Sequence, residues 1–511
     1  MYSAILSGGL QGVFAYIVHV EIDVASGLPG FSMVGYLAGE VKEARERVLV
    51  ALKNTGFDPP AMKITVNLSP ADVRKEGTAY DLPIAIGMLQ SMGLVEEAAT
   101  KDVLFLGELG LNGEVKSVRG VLPIVRQAAK AGFRCCVVPI DNVMEGAVIP
   151  GIEVRGAQDI VQVMQYLQTN ESVEDPMPVK RVDTAALFAE ENLPLYLDFA
   201  DVSGQRAAKR AAEIAAAGFH NLLMSGAPGS GKSMIAKRIA GILPPISMEE
   251  SLEVSSIYSV AGLLGESHSL IVRRPFQAPH HNISQAALTG GSSIPRPGLI
   301  SLSHRGVLFL DELPEYGRSI LDSLRQPLEE HEVQVARVHG NVRYPAHFML
   351  VCAMNPCPCG YYPDRNRCTC KQTDVERYQG RVSGPILDRI DLCVEVLPMK
   401  WKHLKKERHI ETSKMIRERV MQAIEIQSCR FQGSKYQFNS EIEAADIERY
   451  CRLGTNEQRQ MEQIFENMGL SARGYHRILK VARTIADLDG ADEIQEKHLT
   501  EAVYYRLPEH R

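Results

Sequence analysis

Three groups of residues have the types and spacing needed to bind and cleave a nucleoside triphosphate. The first is Gly226-Ala227-Pro228-Gly229-Ser230-Gly231-Lys232-Ser233, a complete GxxxxGK[ST] phosphate loop. Its glycines let successive backbone N–H groups face phosphate oxygens, Lys232 adds a point charge, and the Ser233 hydroxyl is suited to ligate Mg²⁺. The second is Asp311-Glu312, which closes the apolar run Val307-Leu308-Phe309-Leu310. Asp311 is expected to hold Mg²⁺ through water and Glu312 to polarise the attacking water. The third is Asn355, at the end of the apolar run 347–353, where an amide can bond the γ-phosphate or the lytic water. Two arginines extend the set. Arg389 precedes the apolar run 392–396, and Arg473 opens a late helical stretch. Cations at such places stabilise charge on a transferring phosphoryl group, Arg389 being expected from a neighbouring subunit and Arg473 from the lid of its own. Each arginine alone reads as a surface ion pair, so position relative to the other motifs carries the inference.

These groups work only if particular elements hold them. The stretch 220–225 is read as a strand and 234–240 as the helix whose positive N-terminal end faces the phosphates. A four-residue apolar run ending in two carboxylates suits a strand buried on both faces that opens into the nucleotide site. Directly after Asn355 come Cys357, Cys359, Cys368 and Cys370, two C-x-C pairs in a turn-rich polar segment. They are expected to present four thiolates to a structural Zn²⁺ that braces the Asn355 loop, with free or redox-active thiols as the alternative. The other cysteines, at 135, 136, 352, 393, 429 and 451, read as small core hydrophobes. Alternation of β-branched residues through 332–344 around Gly340-Asn341 predicts a hairpin. Arg337, His339 and Arg343 on it are candidate contacts to a DNA backbone, with ordinary surface charge as the alternative. A second insertion is expected at 255–274.

A chain of 511 residues has room for about three domains. The expected division is 1–168, a linker at 169–195 where the chain turns acidic and proline-bearing, an ATPase core at 196–398, and a helical lid at 399–511. Net charge is −6, so nucleic-acid contact has to be local rather than global. No stretch approaches ~18 consecutive apolar residues and the start lacks a leader pattern. A cytoplasmic protein with no membrane partner is expected.

Longer words make a family visible. Asp201-Val202-Ser203-Gly204-Gln205, Arg274-Pro275-Phe276-Gln277-Ala278-Pro279-His280-His281, His304-Arg305-Gly306 leading into 307–314, and Asn355-Pro356-Cys357-Pro358-Cys359-Gly360 resemble magnesium-chelatase-like AAA+ proteins. The whole chain resembles the ComM/YifB family. The resemblance implies an α/β fold with a three-layer αβα P-loop AAA+ core and a C-terminal helical lid. It further implies a homo-hexameric ATPase using ATP and Mg²⁺ that binds single-stranded or branched DNA and drives branch migration of recombination junctions. A chelatase-like motor that remodels a protein partner is the alternative. Residues 109–121 and 128–133 are similar to the Lon protease domain, an α+β unit with a Ser-Lys dyad. Ala79 stands at the serine position and Leu122 at the lysine position, so acyl-enzyme chemistry has no route. A binding or assembly role is expected for that domain, with Lys63, Arg74, Lys75, Lys116 and Arg119 able to offer phosphate contacts, although each taken singly reads first as part of a solvated charged face.

Overall fold

The computed structural model describes residues 1–168, 175–189, 197–264, 269–291, 296–337, 340–364, 366–398 and 411–506. Two sheets organise the chain. The C-terminal one has five short strands, all parallel, in the spatial order Phe276–Gln277, Val307–Leu310, Met349–Met354, Leu222–Ser225, Leu392–Glu395. Parallel pairing requires long crossovers, and these carry helices to both faces. Alternate residues of each strand therefore enter different cores. Leu222, Met224, Phe309, Val351 and Val394 join one with helices Arg206–Gly218, Lys232–Ile242 and Ala472–Leu488. Leu223, Leu308, Leu310, Leu350 and Cys352 join another with Leu321, Ile386 and the hairpin residues Val333, Val335 and Tyr344. Burial on both faces explains why these strands read as unbroken apolar runs. The C-terminal helices, including Ser413–Arg430 and Glu496–Tyr504, share the first core, and the Cys393 N–H donates to Tyr505 O at 2.7 Å.

The N-terminal sheet is mixed and eight-stranded, with Tyr2–Gln11 at its centre between Phe14–Ala25 (antiparallel) and Val103–Phe105 (parallel). It reaches into the stretch read as a linker, where Val179–Lys180 pairs with Glu153–Ala157 and Thr184–Phe188 forms a short helix. This sheet packs against the unit that carries the five-stranded sheet, and two of the contacts locate the seam. The Gly120 N–H donates to Ser259 O at 3.1 Å, on helix Met248–Ala261, which occupies the first part of the expected second insertion. The tip of the first hairpin reaches the other attachment: Gly12 has φ +67°, and a Cβ there would lie 2.7 Å from Val342 Cγ1. Among the described residues no helix is long and apolar enough to cross a membrane.

Candidate nucleotide site

The phosphate loop emerges from the carboxyl end of Leu222–Ser225 and runs into helix Lys232–Ile242, whose cap Gly231 is left-handed. Gly229 (φ +73°) and Gly231 (φ +97°) hold backbone that other residues rarely adopt. Gly226 is required by crowding instead, since a Cβ there would lie 2.2 Å from Val396 O. Lys232 Nζ donates to Gly226 O (2.7 Å), Ala227 O (3.1 Å) and Asn355 Oδ1 (3.1 Å). Burial holds its ammonium pKa below the ordinary lysine value. A buried cation with only neutral acceptors is a receptor for an anion, and phosphate oxygens meet that need. Among the described residues the buried Ser230 Oγ has no hydrogen-bond partner.

Ser233 Oγ donates to Asp311 Oδ2 at 2.7 Å, so the hydroxyl and carboxylate read as Mg²⁺ ligands converge. An oxygen donor set of this kind fits Mg²⁺, which takes one or two protein oxygens plus phosphate and water. Asp311 Oδ1 also accepts the Glu312 N–H at 2.9 Å, and Glu312 adopts left-handed backbone, φ +53°. That conformation is uncommon for a carboxylate side chain and belongs with strained functional positions. His281 Nδ1 lies 3.5 Å from Glu312 Oε2. Sequence reasoning gave His281 no role although it stood in a quoted family word. Gln205 was missed in the same way, and its Nε2 donates to Ser230 O (3.2 Å) and Leu397 O (2.6 Å), pinning the loop from behind.

The two arginines fall elsewhere. Arg389 Nη2 lies 2.6 Å and Arg473 Nη2 3.5 Å from the same oxygen, Glu329 Oε1. They line a cavity of about 220 Å³ with Arg477, Lys480, Phe348 and Asn221. Asn221 Nδ2 donates to Arg389 O at 2.8 Å, at the amino end of the strand whose carboxyl end carries Gly226. Five residue steps of extended chain separate the two edges, about 16 Å. Arg473 is thus not placed over its own phosphate loop, which corrects the expectation of a lid arginine acting on the same chain. The cause is packing: helix Ala472–Leu488 lies on helices Arg206–Gly218, Ser413–Arg430 and Glu496–Tyr504, with Ile478, Val481 and Ile485 in their shared core, and Arg473 in its first turn falls at the amino edge.

The four cysteine ligand atoms lie within 4.8 Å of one another. Cys357 Sγ is 3.4 Å from Cys359 Sγ and 3.8 Å from Cys368 Sγ, which is 3.6 Å from Cys359 Sγ. Tetrahedral Zn²⁺ with bonds of about 2.3 Å spaces its sulfurs about 3.8 Å apart, so the four thiols fit that ion. The Gly360 and Tyr362 N–H groups donate to Cys357 Sγ at 3.2 and 3.4 Å. The cluster abuts the phosphate loop directly: a Cβ on Gly360 would lie 2.3 Å from Pro228 Cδ. Of the other cysteines, 135, 136, 352 and 451 are buried, whereas Cys429 is exposed.

The hairpin forms from Glu332–Arg337 and Gly340–Pro345, with Arg337 opposite Gly340. Gly340 and Asn341 therefore lie in the second strand, not in the turn that the sequence predicted for them. His339 lies outside the described residues. Arg343 is 64% exposed and 3.7 Å from Glu332. In the N-terminal unit Ala79 lines a cavity of about 530 Å³, and Leu122 is fully buried. Lys75 corrects the reading of a surface cation: it is buried and donates to Val73 O at 2.8 Å.

Comparison with known proteins adds the following. Residues 198–404 match the family described as magnesium chelatase, subunit ChlI; 20–142 match subunit ChlI of Mg-chelatase; and 410–506 match the ChlI C-terminal family. The chain is 43% identical to the competence protein ComM of Haemophilus influenzae over 98% of its own length and 97% of that protein's. It is 43% identical to the protein YifB of Escherichia coli over 97% and 95%. The magnesium-chelatase 38 kDa subunit of Cereibacter sphaeroides is 27% identical over 39% of this chain and 58% of its own.

Proposed function

The chain belongs to the ComM/YifB family of magnesium-chelatase-like AAA+ proteins, and from that premise we propose that it is an ATP-driven DNA motor that works as a closed ring, a hexamer in the family pattern, in the cytoplasm. The observation that carries this reading is the separation of the two halves of the ATP site. Gly226, Lys232, Ser233, Asp311, Glu312 and Asn355 meet at the carboxyl edge of the sheet, while Arg389 and Arg473 meet at the amino edge. Only a second chain can bring arginines of this kind to the phosphates, so both act in trans.

In this site Lys232 exchanges its carbonyl and amide acceptors for phosphate oxygens. Ser233 and Asp311 would hold Mg²⁺, which supplies charge neutralisation on the phosphate oxygens. Glu312 orients the attacking water and takes its proton, and Asn355, released from Lys232, bonds the γ-phosphate edge. The arginines of the adjacent chain stabilise the charge that develops on the transferring group. Zn²⁺ held by Cys357, Cys359, Cys368 and Cys370 would have a structural role, since four thiolates leave no open position. Hairpin 332–345, with Arg337, His339 and Arg343, contacts the DNA backbone without reading sequence.

DNA rather than a protein is favoured as the polymer because the Haemophilus influenzae relative, alike over nearly the whole chain, is named a competence protein, whereas the chelatase subunit matches only part of it. Branch migration of recombination intermediates is the expected work. The N-terminal unit is a Lon-like binding or assembly module without peptidase activity, since Ala79 and Leu122 supply neither nucleophile nor base. Branched or single-stranded DNA should stimulate ATP hydrolysis, and porphyrin or unfolded protein should not; stimulation by unfolded protein alone would reverse the assignment. Glu312→Gln should retain nucleotide and lose turnover by at least about 10²-fold. Added to chains carrying Arg389→Ala, it should give partial rescue of ATPase if pockets are shared.

A further inference from the structure

Glu329 has no part in the chemistry above, yet it stands at the centre of the amino-edge cavity. It lies in the short helix Arg325–Glu330, three residues ahead of the hairpin strand Glu332–Arg337. Its ion pairs run to Arg389 at 2.6 Å and Arg473 at 3.5 Å. The other carboxylates of that cavity are engaged differently: Asp391 accepts the Asn221 N–H at 3.0 Å and lies 3.8 Å from Arg477, and Glu441 is 3.1 Å from His347. Arg389 itself is drawn inward. Its side chain is only 12% exposed, Nη1 donates to Pro385 O, and its buried Nε has no partner among the described residues. An arginine held in this way cannot at the same time extend into the pocket of a neighbouring chain.

We propose that Glu329 is an intramolecular stand-in for the neighbour's γ-phosphate, a positioning residue that occupies both arginines in the unassembled chain and is displaced when ATP is presented across an interface. The inference rests on the reading of Arg389 and Arg473 as trans-acting. Two guanidinium groups converging on one cavity repel each other, and one carboxylate both neutralises part of that charge and sets the separation of the pair. A terminal phosphate carries more charge and three acceptor oxygens, so it outcompetes a single carboxylate for the same donors. Glu329 is half-exposed, which keeps the pair weak enough to exchange. The contact thus holds Arg389 back from solution anions, keeps the exposed Arg473 beside it, and releases both to a bound nucleotide.

The test is ATPase activity as a function of protein concentration for the full chain with Mg·ATP. Glu329→Gln keeps the shape and removes the charge, and it should lower the concentration at half-maximal activity by about three-fold, the scale of one partly exposed ion pair. The gain should shrink as salt is raised. Glu329→Asp, which keeps the charge, should stay close to the parent. Thermal unfolding of each variant establishes that it is folded. An unchanged or higher half-maximal concentration for folded Glu329→Gln overturns the proposal. Full ATPase in Arg389→Ala alone would instead overturn the trans reading beneath it, so the two failures are distinct.

Discussion

At the scale of single residues, the nucleotide site is a set of contacts that phosphate has to replace. Among the described residues Lys232 is satisfied by Gly226 O, Ala227 O and Asn355 Oδ1. Lys232→Ala should therefore remove ATP binding while sparing the fold, and the rise in unfolding temperature that ATP gives the parent protein should vanish. A retained shift would mean that the loop binds without its cation. His281 is placed to hold Glu312 aside at 3.5 Å. The residues of direct chemistry were legible in the sequence because backbone geometry dictates their types: glycine where φ is positive, Lys-Ser at a helix start, carboxylates at a strand end. Those that act on the chemistry from elsewhere were not. Glu329, His281 and Gln205 meet their partners across long sequence separations, and no local pattern marks such contacts.

At the scale of elements, the sheet's apolar runs and the helix after the phosphate loop were legible because burial on both faces leaves no polar alternation. Helix ends and turns were less so. Gly340 and Asn341 pair across the hairpin with Arg337 and Ala336, a register that overrides the local preference of Gly-Asn for a turn. The edge on which Arg473 would lie could not be read from sequence at all, since it depends on how helix Ala472–Leu488 packs. The cysteine knob shows coupling between elements. Gly360 has φ +84° and touches Pro228 of the phosphate loop. Gly360→Ala should cost at least about 1 kcal/mol from backbone strain alone and should weaken ATP binding as Pro228 is pushed aside. Equilibrium unfolding and nucleotide titration check the two effects separately. If the four thiols hold Zn²⁺ as proposed, a Zn²⁺-selective chelator should reproduce the loss of ATP affinity and re-added Zn²⁺ should restore it.

At the scale of the whole molecule, the N-terminal sheet and the ATPase core meet around a buried carboxyl. Glu145 Oε1 accepts from Asn142 Nδ2 at 2.7 Å, beside the helix that carries Ser259. Burial pushes its pKa up to about 7, against the ordinary 4.5, with the nearby Ser259 hydroxyl and the Asn142 bond opposing. A raised carboxyl pKa means that the folded chain holds the extra proton. Its stabilising contribution is complete below the unfolded value and is lost as pH rises through about 7, at most about 3 kcal/mol over that window. Denaturant midpoints followed from about pH 5 to about pH 8 should fall for the parent and be flatter for Glu145→Gln. A parent curve already flat over that range would remove Glu145 from the account.

The opposed edges of the ATPase sheet also set an arithmetic for the assembly. If each chain offers a receptacle on one side and its complement on the other, a row of chains always ends in one unserved receptacle and one idle complement. Only joining the ends employs every part. Turnover per chain should therefore climb with the length of the row and step up once more at closure, making catalytic rate itself a reporter of whether the circle is shut.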